Sequence, residues 1–147
     1  MTGEVVVVVP YVGTKVLLQL RDLKANIAFP GHWGFFGGSI QAGEAPEAAA
    51  LREICEEIGF LPQKLHYIGR EAISDLDGLI SYAFACPLEI PFDEIVLAEG
   101  ADAALADLEE IRSKQIFSPK LGRSLPLANT RYIPDTVNRI MLWIMKS

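Results

Sequence analysis

The sequence predicts an α/β (α+β) protein in which a mixed β-sheet lies between helices. Two observations predict this class. The expected elements of the 147-residue chain follow the order β-β-β-α-β-β-β-α, and half of the residues are hydrophobic against 22% charged. A chain of this length and composition can bury one sizeable core. Because neither a repeat nor a linker divides it, we expect a single domain over residues 1–147.

The first strands form a hairpin and a short extension. Residues 5–9 and 14–21 are rich in Val and Leu with a turn between them, which predicts a β-hairpin. The segment 22–33 contains the breaker Pro30-Gly31 and is expected to be a loop. A short strand over 34–37 follows and runs into paired glycines.

The clearest helix covers residues 46–58. Pro46 suits the first helical position, and Gly59 suits the left-handed position that ends a helix. Apolar residues recur between them at helical spacing and are expected to face the core. These residues are Ala48, Leu51, Ile54, Cys55 and Ile58.

Further strands are expected after this helix. Residues 64–73 and 79–88 are expected to be two strands, joined by an obvious turn over 74–78 (SDLDG). Another short strand is predicted at 95–98, and residues 103–113 are expected to carry a strand end and a short helix.

Pro134 is predicted to open a final helix that runs to about residue 146. Leu142 and Trp143 lie off its main apolar stripe. Either this helix packs deeply against the sheet, or the extra apolar face forms a homodimer contact.

Charge and hydropathy exclude several classes of function. The formal net charge of −6 argues against non-specific nucleic-acid binding, which depends on surplus Lys and Arg. It does not exclude an anionic small substrate, because a bound cation reverses the local field. Neither a signal peptide nor a membrane-spanning stretch is recognisable, so we expect no membrane association and a cytoplasmic location.

Three carboxylates on the central helix are the main candidates for chemistry. Glu53, Glu56 and Glu57 stand at i, i+3 and i+4, so their side chains emerge on one helix face. Hard oxygen ligands gathered in this way suit Mg²⁺ or Mn²⁺. The alternative is a solvated acidic face, in which Arg52 pairs with Glu56 at i+4.

The wider segment 38–60, GSIQAGEAPEAAALREICEEIGF, resembles the Nudix box. That pattern is a Gly, five residues, a Glu, seven residues and then R-E-U-x-E-E-x-G-U, where U is a bulky apolar residue. The matching residues here are Gly38, Glu44, Arg52, Glu53, Ile54, Glu56, Glu57, Gly59 and Phe60. The resemblance implies a Nudix-like α/β/α sandwich and a hydrolase of nucleotide phosphoanhydride bonds that uses Mg²⁺ or Mn²⁺.

The resemblance also implies roles for the residues of the box. Glu53, Glu56 and Glu57 would be metal-ligating, catalytic carboxylates, and the carbonyl of Gly38 would add a further ligand. Glu44 and Arg52 would pair and support the ligands, while Gly59 would be structural.

Two residues outside the box are further candidates. In the Nudix family the general base is either a box Glu or an acid on a later loop, and Glu99 is the best later candidate; the alternative is an ordinary surface residue. Arg21 ends the second strand, where a phosphate contact and a surface salt bridge are both open.

The resemblance implies a small-molecule nucleotide substrate but does not identify which nucleotide it is. Secondary signatures of several Nudix subfamilies are absent; for example, Leu76 stands where ADP-ribose hydrolases tend to have Pro. Nucleoside diphosphate sugars and non-standard nucleoside triphosphates both fit. The rival hypothesis is a catalytically silent Nudix-like module that binds or senses a nucleotide.

Overall fold

The computed structural model describes residues 3–23, 29–73, 78–128 and 131–146. Within these ranges the chain forms nine strands, three α-helices and one short 3-10 helix at Phe92–Glu94. The elements are β1 (Glu4–Val12), β2 (Lys15–Leu20), β3 (Trp33–Gly34), β4 (Phe36–Ser39), α1 (Pro46–Ile58), β5 (His66–Ile73), β6 (Leu79–Pro87), β7 (Asp102–Ala106), α2 (Leu108–Ser113), β8 (Gln115–Ser118), β9 (Arg123–Pro126) and α3 (Tyr132–Lys146).

Seven of these strands form one mixed sheet around β1. β1 runs parallel to β6 and antiparallel to both β2 and β4. β2 extends the sheet by pairing with β3 and β7, and β5 pairs with the outer edge of β6. The predicted mixed α/β (α+β) fold is therefore confirmed.

Both faces of the central strand are covered, which explains its run of five valines. Val6 and Val8 pack into a core that includes the buried residues of α1. Val9 packs on the opposite face, into a core that includes Val137 and Ile140 of α3. Successive strand residues point to opposite faces, so a strand buried on both sides must be apolar throughout. The helices thus lie on the two sides of the sheet.

The predicted bounds of α1 are correct, but part of its predicted core face is wrong. Gly59 ends the helix in the left-handed conformation with φ of 68°, and its N–H donates to the carbonyl of Cys55. Ala48 and Cys55 are exposed, whereas Ala50, Ile54 and Glu57 face the sheet. The buried face of the helix is therefore rotated from the predicted one, and it includes a carboxylate.

The strand predicted at 95–98 does not form. The N–H of Val96 donates to the carbonyl of Ile58 at 3.3 Å, and the N–H of Ala98 donates to that of Glu57 at 2.8 Å. Carbonyls in the last turn of a helix have no partner inside the helix. This segment satisfies two of them, so its own donors are not available for a sheet ladder.

Other boundaries differ locally from the prediction. The expected strand at 34–37 is divided between β3 and β4, and α3 begins at Tyr132, two residues before Pro134. The hairpin of β8 and β9 was not predicted. Most of the predicted turn at 74–78, including Leu76, lies outside the described residues, as do residues 24–28 of the predicted loop.

The two unusual apolar residues of α3 behave differently. The ring of Trp143 lies 4.4 Å from that of His66 and 6.0 Å from that of Tyr11, so it packs against the sheet. Leu142 is 58% exposed, and the homodimer contact stays a prediction. Among the helices of the described residues, none has the length and apolarity needed to cross a membrane.

Candidate functional site

A two-pronged ion pair joins the loop before α1 to the helix. Nε and Nη2 of Arg52 each donate to one carboxylate oxygen of Glu44 at 2.9 Å. Glu44 also accepts the backbone N–H of Gln41 at 3.0 Å. The hydrogen bonds from Arg52 and then Gln41 lower the pKa of Glu44 to about 2. The bidentate geometry fixes the loop against the helix.

Arg52 also holds the next residue of the helix. Its Nη1 donates to Oε1 of Glu53 at 2.9 Å, and its Nη2 donates to the carbonyl of Ser39 at 3.2 Å. The residue at i+4, Glu56, has a side chain that is 61% exposed, and its Oε2 lies 3.6 Å from Nη1 of Arg52. The pair of Arg52 and Glu56 considered as an alternative is thus present, but it is the weakest contact of this guanidinium.

The paired glycines of β4 leave room for the carboxylates. A Cβ built on Gly38 would overlap the carboxylate of Glu53, and one built on Gly37 would overlap the carbonyl oxygen of Val6. A larger residue at Gly37 would push β4 away from β1, whereas one at Gly38 would displace the carboxylate of Glu53. Glu53 is partly buried here. Burial raises its pKa, and the hydrogen bond from Arg52 opposes that rise.

Glu57 is a buried carboxylate on the face of α1 that contacts the sheet. It is 4% exposed, and Oε2 has no hydrogen-bond partner among the described residues. Burial, followed by the negative charges of Glu53 and Glu99, raises its pKa to about 8. A hydrogen bond from the backbone N–H of Gly37 acts in the opposite direction. An isolated charge in such a place is costly unless a cation or donor compensates it.

Glu99 belongs to the same electrostatic cluster although it is distant in sequence. The pKa of Glu57 is raised first by burial, then by the charge of Glu53 and then by the charge of Glu99. The pKa of Glu53 is raised mainly by burial, and the charge of Glu99 adds to that rise. The side chain is exposed, while its backbone carbonyl accepts Nε2 of Gln19 at 3.1 Å. Four glutamates therefore act on one another at this end of α1.

The carboxylates are close but do not surround a common point. In the part of the chain that the structure describes, no three His, Cys, Asp or Glu side chains converge closely enough to hold a metal ion as placed. Glu53 is turned towards Arg52, and Glu56 is exposed. Rotation of these two side chains would be needed for joint coordination.

An apolar pocket of about 180 Å³ lies on the opposite face of the sheet from α1. Its lining is largely aliphatic and aromatic, with one basic residue, and consists of Val5, Val7, Arg21, Phe29, Gly34, Phe35, Ile73, Leu79, Ala128, Tyr132 and Ile133. The segment 34–38 links the two features. It lines the pocket at Gly34 and Phe35 and contacts the carboxylates at Gly37 and Gly38.

Several residues of this region were not predicted from the sequence. Phe29, Phe35 and Tyr132 line the pocket from three separate segments, and no spacing marks them as a group. Gln19 could have been noticed in the sequence, because it is a polar residue within the largely apolar strand KVLLQL. Arg21, which the sequence singled out, does lie in the pocket lining.

The similarity to known proteins matches this geometry. A family model described as the NUDIX domain matches residues 1–126. The chain belongs to the Nudix hydrolase family. A curated relative, the oxidized purine nucleoside triphosphate hydrolase of Danio rerio, is 34% identical over 82 residues. That match covers 56% of this chain and 47% of the relative, so the chain spans about half the length of this relative.

Solved structures share the Nudix fold at lower identity. The NUDIX domain of Shewanella oneidensis NrtR, complexed with ADP ribose, superposes with a TM-score of 0.68 at 20% identity over 96% of this chain and 87% of that one. The MutT NUDIX hydrolase of Burkholderia pseudomallei superposes with a TM-score of 0.65 at 18% identity, over 93% of this chain and 96% of that one. These likenesses extend the shared fold over nearly the whole chain.

Proposed function

We propose that this Nudix protein is an enzyme that hydrolyses a phosphoanhydride bond, with Mg²⁺ or Mn²⁺, in a nucleoside triphosphate or a nucleoside diphosphate linked to another group. One observation carries the proposal. The buried carboxylate of Glu57 lacks a partner on one oxygen, and it lies within electrostatic reach of Glu53, Glu56 and Glu99 beside a glycine backbone. Such a cluster is stabilised by a divalent cation.

The donor set fits a hard cation. Glu53, Glu56, Glu57 and the carbonyl of Gly38 would hold it, and all of these ligands are oxygen atoms, which Mg²⁺ and Mn²⁺ prefer. The unpartnered Oε2 of Glu57 and the missing Cβ at Gly38 support this assignment. When bound, the cation would neutralise charge on the phosphate oxygens and make a water molecule more acidic.

The remaining residues would position the reactants and move a proton. We assign Glu99 as the acceptor of the proton from the attacking water, since its carboxylate is exposed next to Glu57 and Glu53. A box glutamate is the alternative base. Arg52 and Glu44 would hold the ligand helix in place, because losing the groups that orient metal ligands weakens metal sites.

The apolar pocket would accept the nucleoside. Its aromatic side chains, Phe29, Phe35 and Tyr132, suit a flat base, and Arg21 in the same lining would contact a phosphate group. The relative that acts on oxidized purine nucleoside triphosphates supports the triphosphate class, and the neighbour bound to ADP ribose supports the diphosphate class. A cytoplasmic location and the absence of nucleic-acid and membrane partners stay predictions.

A library of nucleotides separates this enzyme from a silent binding module. Purified protein would be incubated with nucleoside triphosphates, including oxidized purine forms, and with nucleoside diphosphate sugars and ADP-ribose, in the presence of Mg²⁺ or Mn²⁺. We expect release of phosphate, pyrophosphate or a nucleoside monophosphate from one class and no release with EDTA. A nucleotide that raises the melting temperature but is never cleaved would instead indicate the silent module.

A further inference from the structure

Gln19 is a buried polar side chain in a strand that is otherwise apolar. It is 5% exposed, and its neighbours Val16, Leu17, Leu18 and Leu20 are fully buried. A buried amide without a hydrogen-bond partner destabilises the folded state, whereas an aliphatic residue at this position would cost nothing of that kind. The glutamine therefore points to a specific partner.

That partner is the segment that carries Glu99. Gln19 alternates with Leu18 and Leu20, so it shares its face with Leu17, which packs into the core beside α1. Nε2 of Gln19 donates to the backbone carbonyl of Glu99 at 3.1 Å. The chain passes directly over the amide, because a Cβ built on Gly100 would lie 2.9 Å from Cγ of Gln19.

Glu99 lies between two backbone anchors. On one side the N–H of Ala98 donates to the carbonyl of Glu57, and on the other the N–H of Ala101 donates to the carbonyl of Leu20, both at 2.8 Å. The segment thus spans from the ligand helix to the end of β2. The bond from Gln19 fixes the residue between these anchors.

We propose that Gln19 is a positioning residue that holds the backbone of Glu99 so that its carboxylate faces Glu53 and Glu57. The inference rests on the proposed function, in which Glu99 accepts the proton. The exposed side chain of Glu99 has many rotamers, so a fixed backbone limits the space that its carboxylate explores. Small displacements of a catalytic group reduce rates strongly.

The test is a double-mutant cycle with Gln19→Met and Glu99→Gln, assayed on the nucleotide that the library selects. Methionine keeps the length of the side chain and removes the donor. We expect Gln19→Met alone to lower kcat by about 10- to 100-fold with KM changed less than about threefold. In the Glu99→Gln protein the Gln19→Met change should leave kcat almost unaltered, because the carboxylate that Gln19 positions is already lost.

A second measurement does not depend on catalysis. Amide hydrogen exchange in the metal-free protein should accelerate at Ala98, Gly100 and Ala101 in Gln19→Met, while exchange in α1 stays unchanged. Gln115→Met, at the exposed first residue of β8, serves as the matched control. If Gln19→Met fails to fold, Gln19→Asn replaces it, because its shorter amide does not reach the Glu99 carbonyl.

The outcomes are distinguishable. Equal losses of kcat in both backgrounds, or unchanged exchange at Ala98, Gly100 and Ala101, would overturn the role of Gln19. Near-normal turnover of Glu99→Gln would remove Glu99 as the base and, with it, the catalytic role assigned to Gln19. Absence of hydrolysis by the unmodified protein would reject the proposed function, while the exchange experiment would still show whether Gln19 holds the segment.

Discussion

Replacement of Glu57 by glutamine is expected to lower kcat about 10³-fold or more without unfolding the protein. Glutamine preserves the shape of the side chain and one oxygen that accepts the N–H of Gly37. It removes the negative charge that would hold the cation. Steady-state hydrolysis of the selected nucleotide at saturating Mn²⁺ measures the loss, and circular dichroism checks the fold.

Glu47→Gln provides the matched control on the same helix. Glu47 is exposed in the first turn of α1, away from the cluster at the other end. Its replacement should leave kcat unchanged. A folded Glu57→Gln protein with turnover close to that of the unmodified protein would exclude Glu57 from the metal site.

The metal-free protein is expected to lose stability as the pH rises from about 4.5 to about 8. Burial, then the charges of Glu53 and Glu99, raises the pKa of Glu57 from 4.5 to about 8. Between these values the folded state binds a proton that the unfolded state has released, so the free energy of unfolding falls with increasing pH. The fall is on the order of 3 to 5 kcal/mol. Urea unfolding of EDTA-treated protein at a series of pH values measures it.

Glu44 affects stability at lower pH and in the opposite direction, so that its contribution increases as the pH rises. Its pKa is lowered to about 2, first by the hydrogen bond from Arg52, so its contribution is present above about pH 4.5 and is lost as the pH falls towards 2. In Glu57→Gln most of the decrease between pH 4.5 and 8 should disappear, and a smaller part should remain from Glu53, whose pKa is also raised by burial. In the unmodified protein saturating Mg²⁺ should largely offset the decrease. A metal-free protein whose stability rises with pH across this range would show that Glu57 is not a buried, uncompensated acid.

The sequence predicted α1 best, because the residues that begin and end a helix act locally along the chain. Pro46 and Gly59 mark the two ends of α1, as the sequence predicts. The segment 95–98 shows the limit of such rules. Its residues resemble a strand, but its N–H groups bond to the last carbonyls of α1, which is a tertiary contact that a local pattern does not contain.

The candidate site shows the same division. The pairing of Arg52 with Glu44 could be expected from the family pattern, and both hydrogen bonds are present. The burial of Glu57 was not predicted, because hydrophobic periodicity places carboxylates on the solvent side of a helix. The pocket is built from side chains far apart in the sequence, such as Arg21 after β2 and Tyr132 on α3, which only the folded chain brings together.

Anomalous scattering from a crystal of the protein grown with saturating Mn²⁺ would show whether the acids of α1 hold a cation. We expect an anomalous peak coordinated by Glu57, by Glu53 after its release from Arg52, and by the carbonyl of Gly38. The opposite result is a well-ordered α1 whose glutamates point into solvent, with no manganese peak beside them. That result would contradict the assignment of this helix as a cation site.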